Sequence, residues 1–184
     1  MRRFLIFVGI ALVLLIILGW GVSIFNMRQE KSRSPEDQVE FSNGDLSIRV
    51  FYNRPKKNNR EIFGNLVPYN EVWRTGANEA TTFETNKELV IEGKTLPRGK
   101  YSLWTIPYED HWTIIFNREY GQWGINSKGE PNRNPARDVL AVDVRSVQQE
   151  HEFEQFTIAF EKIGEDAEMV LLWDRTLVAM PFSW

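Results

Sequence analysis

The apolar residues of this chain follow two different patterns. Residues 4–25 form an apolar run in which Ser23 is the only polar side chain. A helix rises about 1.5 Å per residue, so a run of this length can cross a hydrocarbon core of roughly 30 Å. The pattern predicts a transmembrane helix over residues 4–26, preceded by a short cytoplasmic head at residues 1–3.

The second pattern is a period of two that recurs beyond residue 41. Such alternation is typical of half-buried strands, and turn sequences rich in glycine, proline and asparagine separate the segments. The alternating sets are Leu46, Ile48 and Val50; Trp112, Ile114 and Phe116; Leu140, Val142 and Val144; Phe156, Ile158 and Phe160; and Met169, Leu171 and Trp173. We therefore predict an all-β fold for residues 41–184, an antiparallel β-sandwich with a jelly-roll-like fold or a closed barrel as the alternative.

Two polar segments interrupt these patterns. Residues 27–40 are polar and charged and contain Pro35, so they cannot bury much apolar surface and are predicted to be a linker. Residues 117–138 are rich in glycine, proline and asparagine but also contain Tyr120 and Trp123. A loop of that length in a compact domain is usually functional or mobile.

The densest mixture of chemistry lies in residues 71–82, EVWRTGANEATT, which we call the signature stretch. It combines the indole of Trp73, the guanidinium of Arg74, the amide of Asn78 and the carboxylate of Glu79 with several hydroxyl groups. No known catalytic template fixes a reaction from this spacing.

Several longer motifs carry a resemblance to a known family. They are RPKKNNREIFGNLVPYNEVWRTGANEATT, LPRGKYSLWTIP, WTIIFNRE and GQWG, and together they cover most of the chain after Leu46. The sequence resembles the DUF2911 family of uncharacterised bacterial proteins, largely from Bacteroidetes. The resemblance implies an exported, mainly β domain and no particular activity. Asn70 and the run Lys56-Lys57-Asn58-Asn59 depart from the usual family pattern.

The predicted topology rests partly on this resemblance. The apolar run is longer than the core of a cleavable signal peptide, about 7–15 residues, so an uncleaved anchor is favoured. Basic residues are slightly more frequent after the run than before it, which by itself opposes export. The short head and the implied export favour a single-pass inner-membrane protein with its C-terminal domain in the periplasm.

Charge and composition exclude some classes of partner and site. All 25 acidic residues, but not Arg2 and Arg3 among the 22 basic ones, lie beyond Asn26, which leaves that part with a formal charge of −5. Such a surface argues against nucleic acid as a partner. The two histidines, His111 and His151, are far apart and there is no cysteine, so we predict no metal site, no cofactor and no serine or cysteine nucleophile.

Two interpretations of the signature stretch remain open. Glu71 and Glu79 are weak catalytic candidates, since a carboxylate pair can hydrolyse a glycosidic bond if both face one cleft. Otherwise Glu79 is a structural partner of Arg74. The ligand-binding candidates are Trp73, Arg74, Asn78, Gln122 and Trp123, whose two indoles could form a platform for a sugar or peptide.

These observations predict a membrane-anchored, periplasm-facing β-sandwich whose molecular function is unknown. A binding or envelope-interaction module with a glycan or envelope peptide as ligand fits best, and whether the protein is an enzyme is left open. The alternative is a hydrolase that acts on envelope glycans through the carboxylate pair.

Overall fold

The structure, a computed structural model, describes residues 2–184, except for the side chains of residues 2–11, 26–28 and 30. The chain divides into two compact units, residues 1–33 and residues 34–184. The first contains one helix, α1 (Arg2–Arg33). The second contains the β-structure.

Helix α1 contains residues 4–26, the segment predicted to cross a membrane. The side chains of Leu12, Trp20 and Phe25 are all more than half exposed within this unit. Among the residues whose side chains are described, no helix is long and apolar enough to span a membrane. The predicted transmembrane helix is therefore not confirmed, and residues 4–11 and 26 of it lie outside the described side chains.

The second unit contains nine strands in one antiparallel sheet of order β1-β2-β3-β6-β7-β8-β9-β4-β5. The strands are β1 (Glu36–Asn43), β2 (Leu46–Asn53), β3 (Thr81–Thr85), β4 (Leu89–Ile91), β5 (Lys94–Leu96), β6 (Gly99–Pro107), β7 (His111–Asn117), β8 (Asp138–Ile163) and β9 (Asp166–Ser183). A short 3-10 helix, Pro135–Arg137, leads into β8. The prediction of an all-β antiparallel fold is confirmed.

The predicted period of two matches the observed burial. Leu46, Ile48 and Val50 are buried on β2 while the residues between them are exposed, and the same holds for Leu140, Val142 and Val144 on β8. The sets on β7 and β9 are buried as well, and Phe160 of the remaining set is half-buried against the core.

The long strand β8 connects the two halves of the sheet. Up to Arg145 it pairs with β7, and from Ser146 onward it pairs with β9. The ring of Phe41 on β1 lies 5.5 Å from that of Phe160 on β8 and 5.8 Å from that of Phe182 on β9, so both halves contribute to one core. The predicted sandwich is thus observed as one open, hydrogen-bonded sheet rather than as separate sheets.

Strand β1 occupies part of the predicted linker. The β-unit begins at residue 34 instead of 41, because Val39 and Phe41 face the core and residues 36–43 pair with β2 along their whole length. Asp37 also accepts a hydrogen bond from Arg54 at 3.1 Å. With only two apolar residues in eight, this edge strand resembles a polar tether in sequence.

Candidate functional site

The signature stretch enters the sheet beside β6, leaves it, and returns as β3. Trp73 exchanges backbone hydrogen bonds with Thr105 of β6, with N···O distances of 2.7 and 2.9 Å. Residues 75–80 then turn away, and Thr81 begins β3 beside the same strand. The amide of Thr81 donates to the carbonyl of Arg74 at 3.3 Å, which closes the excursion.

Trp73 points into the main core. Its ring lies at centroid distances of 5.1 to 6.3 Å from four other aromatic rings, and it is stacked at 19° on the ring of Trp173, which is 2% exposed. The four partners are Phe63, Trp112, Phe156 and Trp173. The indole nitrogen donates to the carbonyl of Gly76 at 3.0 Å. The ring of Trp73, predicted as part of a stacking platform for a ligand, is thus packed against the core.

The turn that follows has an unusual backbone. Thr75, Gly76 and Asn78 all have positive φ, at 54°, 151° and 57°. A β-branched residue rarely adopts such a φ, and the strain persists here because Thr75 is fully buried and held at both ends. Its hydroxyl lies 3.2 Å from that of Thr105, and its carbonyl accepts from the Thr81 hydroxyl at 2.6 Å.

The loop at residues 118–134 is bonded to the outer side of this turn. The amide of Ala80 donates to the carbonyl of Gln122 at 3.1 Å, and the amide of Gly124 donates to that of Asn78 at 2.8 Å. Glu79 forms a β-bridge with Trp123. The backbone of the loop therefore extends the sheet at this point and holds the candidates Gln122 and Trp123 beside Asn78 and Glu79.

The side chains of this turn are bonded mainly to one another. Asn78 is buried and donates to the Asn53 side-chain oxygen at 3.2 Å, while the Asn53 amide donates to Glu79 Oε2 at 3.1 Å. Gln122 donates to two backbone carbonyls at 3.3 Å each. Asn78 and Gln122 thus have structural partners. The proposed pairing of Arg74 with Glu79 stays a prediction.

Beside the turn, on the face of the sheet opposite the main core, lies a cavity of about 370 Å³. We call it the outer-face cavity, and it lies within the usual size range of small-ligand sites. It is lined by Gln38, Arg49, Phe51, Glu79, Ala80, Thr82, Glu84, Lys100, Tyr120 and Gly121. Only Glu79 of these was a candidate from the sequence.

Two rows of cross-strand neighbours run along the floor of this cavity, and all of their members except Glu40 and Ser102 line it. The charge row runs across β1, β2, β3 and β6 as Glu40, Arg49, Glu84 and Lys100. The neutral row beside it consists of Gln38, Phe51, Thr82 and Ser102. Because neighbours in one row stand about 4.5–5.5 Å apart, their side chains interact directly.

Opposite charges alternate along the charge row and compensate one another. Arg49 Nε donates to Glu40 Oε1 at 2.9 Å, and Lys100 Nζ lies 3.8 Å from Glu84 Oε2. The hydrogen bond to Glu40, with further attraction from Glu40 and Glu84, raises the pKa of Arg49 above its ordinary value. Lys100 Nζ also lies 5.4 Å from the ring centroid of Tyr120, a cation–π contact.

A second cavity of about 270 Å³ lies between residues 66–74 and the loop. We call it the inner-loop cavity, and it is lined by Leu66, Val67, Pro68, Glu71, Val72, Trp73, Arg74, Gly124, Ile125, Gly129 and Pro131. Glu71 borders this cavity whereas Glu79 borders the outer-face cavity. The structure therefore places the two candidate carboxylates in different cavities.

Two further polar contacts lie outside the two cavities. His111 Nδ1 lies 2.7 Å from Asp110 Oδ1 and the imidazole stacks on Tyr108 at 4.4 Å, at an exposed turn. Contact with His111 lowers the pKa of Asp110. Lys57 Nζ donates to Asp174 at 2.6 Å, which raises the pKa of Lys57. Within the described residues, no group of three or more histidine, cysteine or acidic side chains could hold a metal.

The second unit is thus a single antiparallel β-sheet with an open cavity on its outer face. The sequence model of DUF2911, a family of proteins of unknown function, matches residues 34–182. The chain belongs to this family. No curated protein and no solved structure shows a match.

Two departures from the family pattern fit the backbone. Asn58, Asn59 and Asn70 all have positive φ, at 50°, 55° and 64°. Asparagine tolerates this region better than other side chains do, although less well than glycine. Asparagine at these three positions therefore suits the turns of these loops.

Proposed function

We propose that this protein is a binding module whose ligand occupies the outer-face cavity. The observation that carries the proposal is the combination of an open cavity of about 370 Å³ with a strained turn at its rim. Glu79 and Ala80 line the cavity directly after the positive-φ residues Thr75, Gly76 and Asn78. Backbone strain concentrates at functional sites, where the surrounding contacts maintain it.

The loop at residues 118–134 supports the same proposal. Its backbone is fixed to Asn78 and Ala80 by hydrogen bonds, whereas Tyr120 remains 52% exposed at the cavity. A large, exposed aromatic ring on an anchored loop costs little entropy to order when a ligand binds. The hydrolase alternative lacks such support, since Glu71 and Glu79 border different cavities.

A filled cavity tests the proposal. In Thr82→Trp, a large side chain would stand on the half-exposed floor of the outer-face cavity without entering the core. A thermal-shift screen of the full chain against neutral sugars, charged sugars and envelope peptides should find ligands that the variant no longer binds. The matched variant Leu66→Trp fills the inner-loop cavity and should bind normally. Ligands lost in Leu66→Trp but kept in Thr82→Trp would contradict the proposal.

We further propose that residues 4–26 anchor this module in the inner membrane with residues 34–184 in the periplasm. What supports this is the sequence, whose apolar run at residues 4–25 is long enough to span the hydrocarbon core. Alkaline phosphatase fused after Trp184 should be active and membrane-associated. An inactive fusion, or activity released from the membrane, would contradict the proposed anchor.

A further inference from the structure

We propose that the ligand of the outer-face cavity is a neutral saccharide, an inference that rests on the binding role proposed above. The two rows on the cavity floor and the ring of Tyr120 provide the argument. The charges of the rows disfavour ionic ligands and purely apolar ligands, and the aromatic rings favour a ligand with C–H faces.

The charges of the lining select against ionic ligands. The cavity is lined by two cations, Arg49 and Lys100, and two carboxylates, Glu79 and Glu84. Arg49 is bonded to Glu40 and faces Glu84 in register, and Lys100 lies beside Glu84. An anion would meet the repulsion of these carboxylates, and a cation would meet that of Arg49 and Lys100, so neither sign is favoured.

A hydroxyl-rich ligand can use both charges at once. Carboxylates only accept hydrogen bonds, and guanidinium and ammonium groups only donate them, whereas a hydroxyl does both. Vicinal hydroxyls laid along the charge row can donate to Glu84 while accepting from Arg49 or Lys100, without separating these pairs. Thr82 and Gln38 on the neutral row add further polar groups.

Apolar contacts at the cavity match the C–H faces of a sugar ring. Phe51 is half-buried on the floor and Tyr120 stands at the opening, with Lys100 Nζ against its ring. A purely apolar ligand would leave the floor charges without water, which is costly. A ligand with both C–H faces and hydroxyls fits floor and ring together.

The test is calorimetric titration of the full chain with cellobiose, maltose and N,N′-diacetylchitobiose. Any detergent must lack a sugar headgroup, because glucosides and maltosides would compete for the cavity. At least one disaccharide should bind, with an affinity that changes little between low and high salt because the ligand is neutral. Tyr120→Ala should weaken binding roughly tenfold, and Tyr120→Phe, which keeps the ring, should not.

Tyr108→Ala is the matched control, since Tyr108 is an aromatic residue at a turn outside the cavity and its loss should leave binding unchanged. If none of the three disaccharides binds, the inference is wrong. Binding of glucuronic acid, glucosamine or a peptide that Thr82→Trp abolishes would then leave the binding role intact and reject only the neutral saccharide as its ligand. Disaccharide binding that Tyr120→Ala leaves unchanged would also reject it.

Discussion

The two sides of the signature stretch differ in what their side chains contact. On the inner side, Trp73 packs against the main core and borders the inner-loop cavity, and Thr75 is buried beside Thr105. On the outer side, Glu79 and Thr82 line an open cavity beside Tyr120. The same twelve residues thus contribute to the core on one side and border the proposed binding site on the other.

This difference shows where candidate ligand contacts are found in such a fold. Trp73 stands out in the sequence because it is a large aromatic residue in an irregular segment, yet its ring is part of the core. Arg49 and Lys100 do not stand out, because each is one polar residue in an alternating strand. The strand register is what brings their side chains together at the outer-face cavity.

The largest expected difference is between Trp73→Ala and Tyr120→Ala. Loss of the Trp73 ring should lower the free energy of unfolding by about 3–5 kcal/mol, since it packs against four aromatic rings. Tyr120 is half exposed, so its loss should cost within about 0.5 kcal/mol. Chemical denaturation measures both values, and equal losses would invalidate the comparison between the two sides.

The next largest loss of stability is expected where the loop contacts the signature stretch closely. A Cβ added at Gly124 would stand 2.0 Å from Arg74 Cδ and 2.8 Å from Arg74 Cβ. Gly124→Ala should therefore destabilise the protein by about 1–3 kcal/mol through overpacking. Ser127→Ala, an exposed position in the same loop, is the control. An unchanged denaturation midpoint for Gly124→Ala would show that the loop moves away freely.

Much of the fold could be predicted from the sequence because its signals are local. Alternation located the core residues of β2, β7, β8 and β9, since the side-chain period of a strand is fixed by geometry. The edge strand β1 has few apolar residues and was predicted as a linker. The pairing of β8 with two neighbours depends on contacts far apart in the chain, so no local pattern indicated the single continuous sheet.

The candidate site was predictable only in part for the same reason. The signature stretch and the long loop were recognised by composition, and the structure does bond them together. The charge row requires the pairing of β1, β2, β3 and β6, whose residues are up to about sixty positions apart. A search for charges at matching outward positions of neighbouring strands would have found it only once the register was known.

A smaller effect is expected at the tight turn between β4 and β5. Glu92 and Gly93 both have positive φ, at 48° and 72°, as in the type I′ turn that favours Asn-Gly. Glu92→Asn should raise the free energy of unfolding by about 0.5–1 kcal/mol, whereas Glu92→Gln should not. This turn is remote from the cavity, so ligand binding should be the same in both variants. A loss of stability in Glu92→Asn would contradict the assigned turn.

The smallest effect concerns Glu168, which stands directly opposite Glu161 in the hairpin of β8 and β9. Partial burial and then repulsion from Glu161 raise the pKa of Glu168. The folded protein therefore holds this proton more tightly than the unfolded chain does, and the destabilisation appears as pH rises past the unfolded pKa and is complete above the folded one. Glu168→Gln should add roughly 0.2–0.5 kcal/mol at pH 7 and nothing at pH 3. A gain that persists unchanged at pH 3 would rule out this electrostatic cause.

Chemical-shift mapping tests the functional difference between the two sides most directly. The ¹⁵N-labelled full chain would be titrated with the disaccharide that binds most tightly, and the backbone amide shifts recorded. We expect the shifts to concentrate at Arg49, Thr82, Lys100 and Tyr120, around the outer-face cavity. Shifts concentrated instead at Leu66, Glu71 and Ile125, around the inner-loop cavity, would contradict the account.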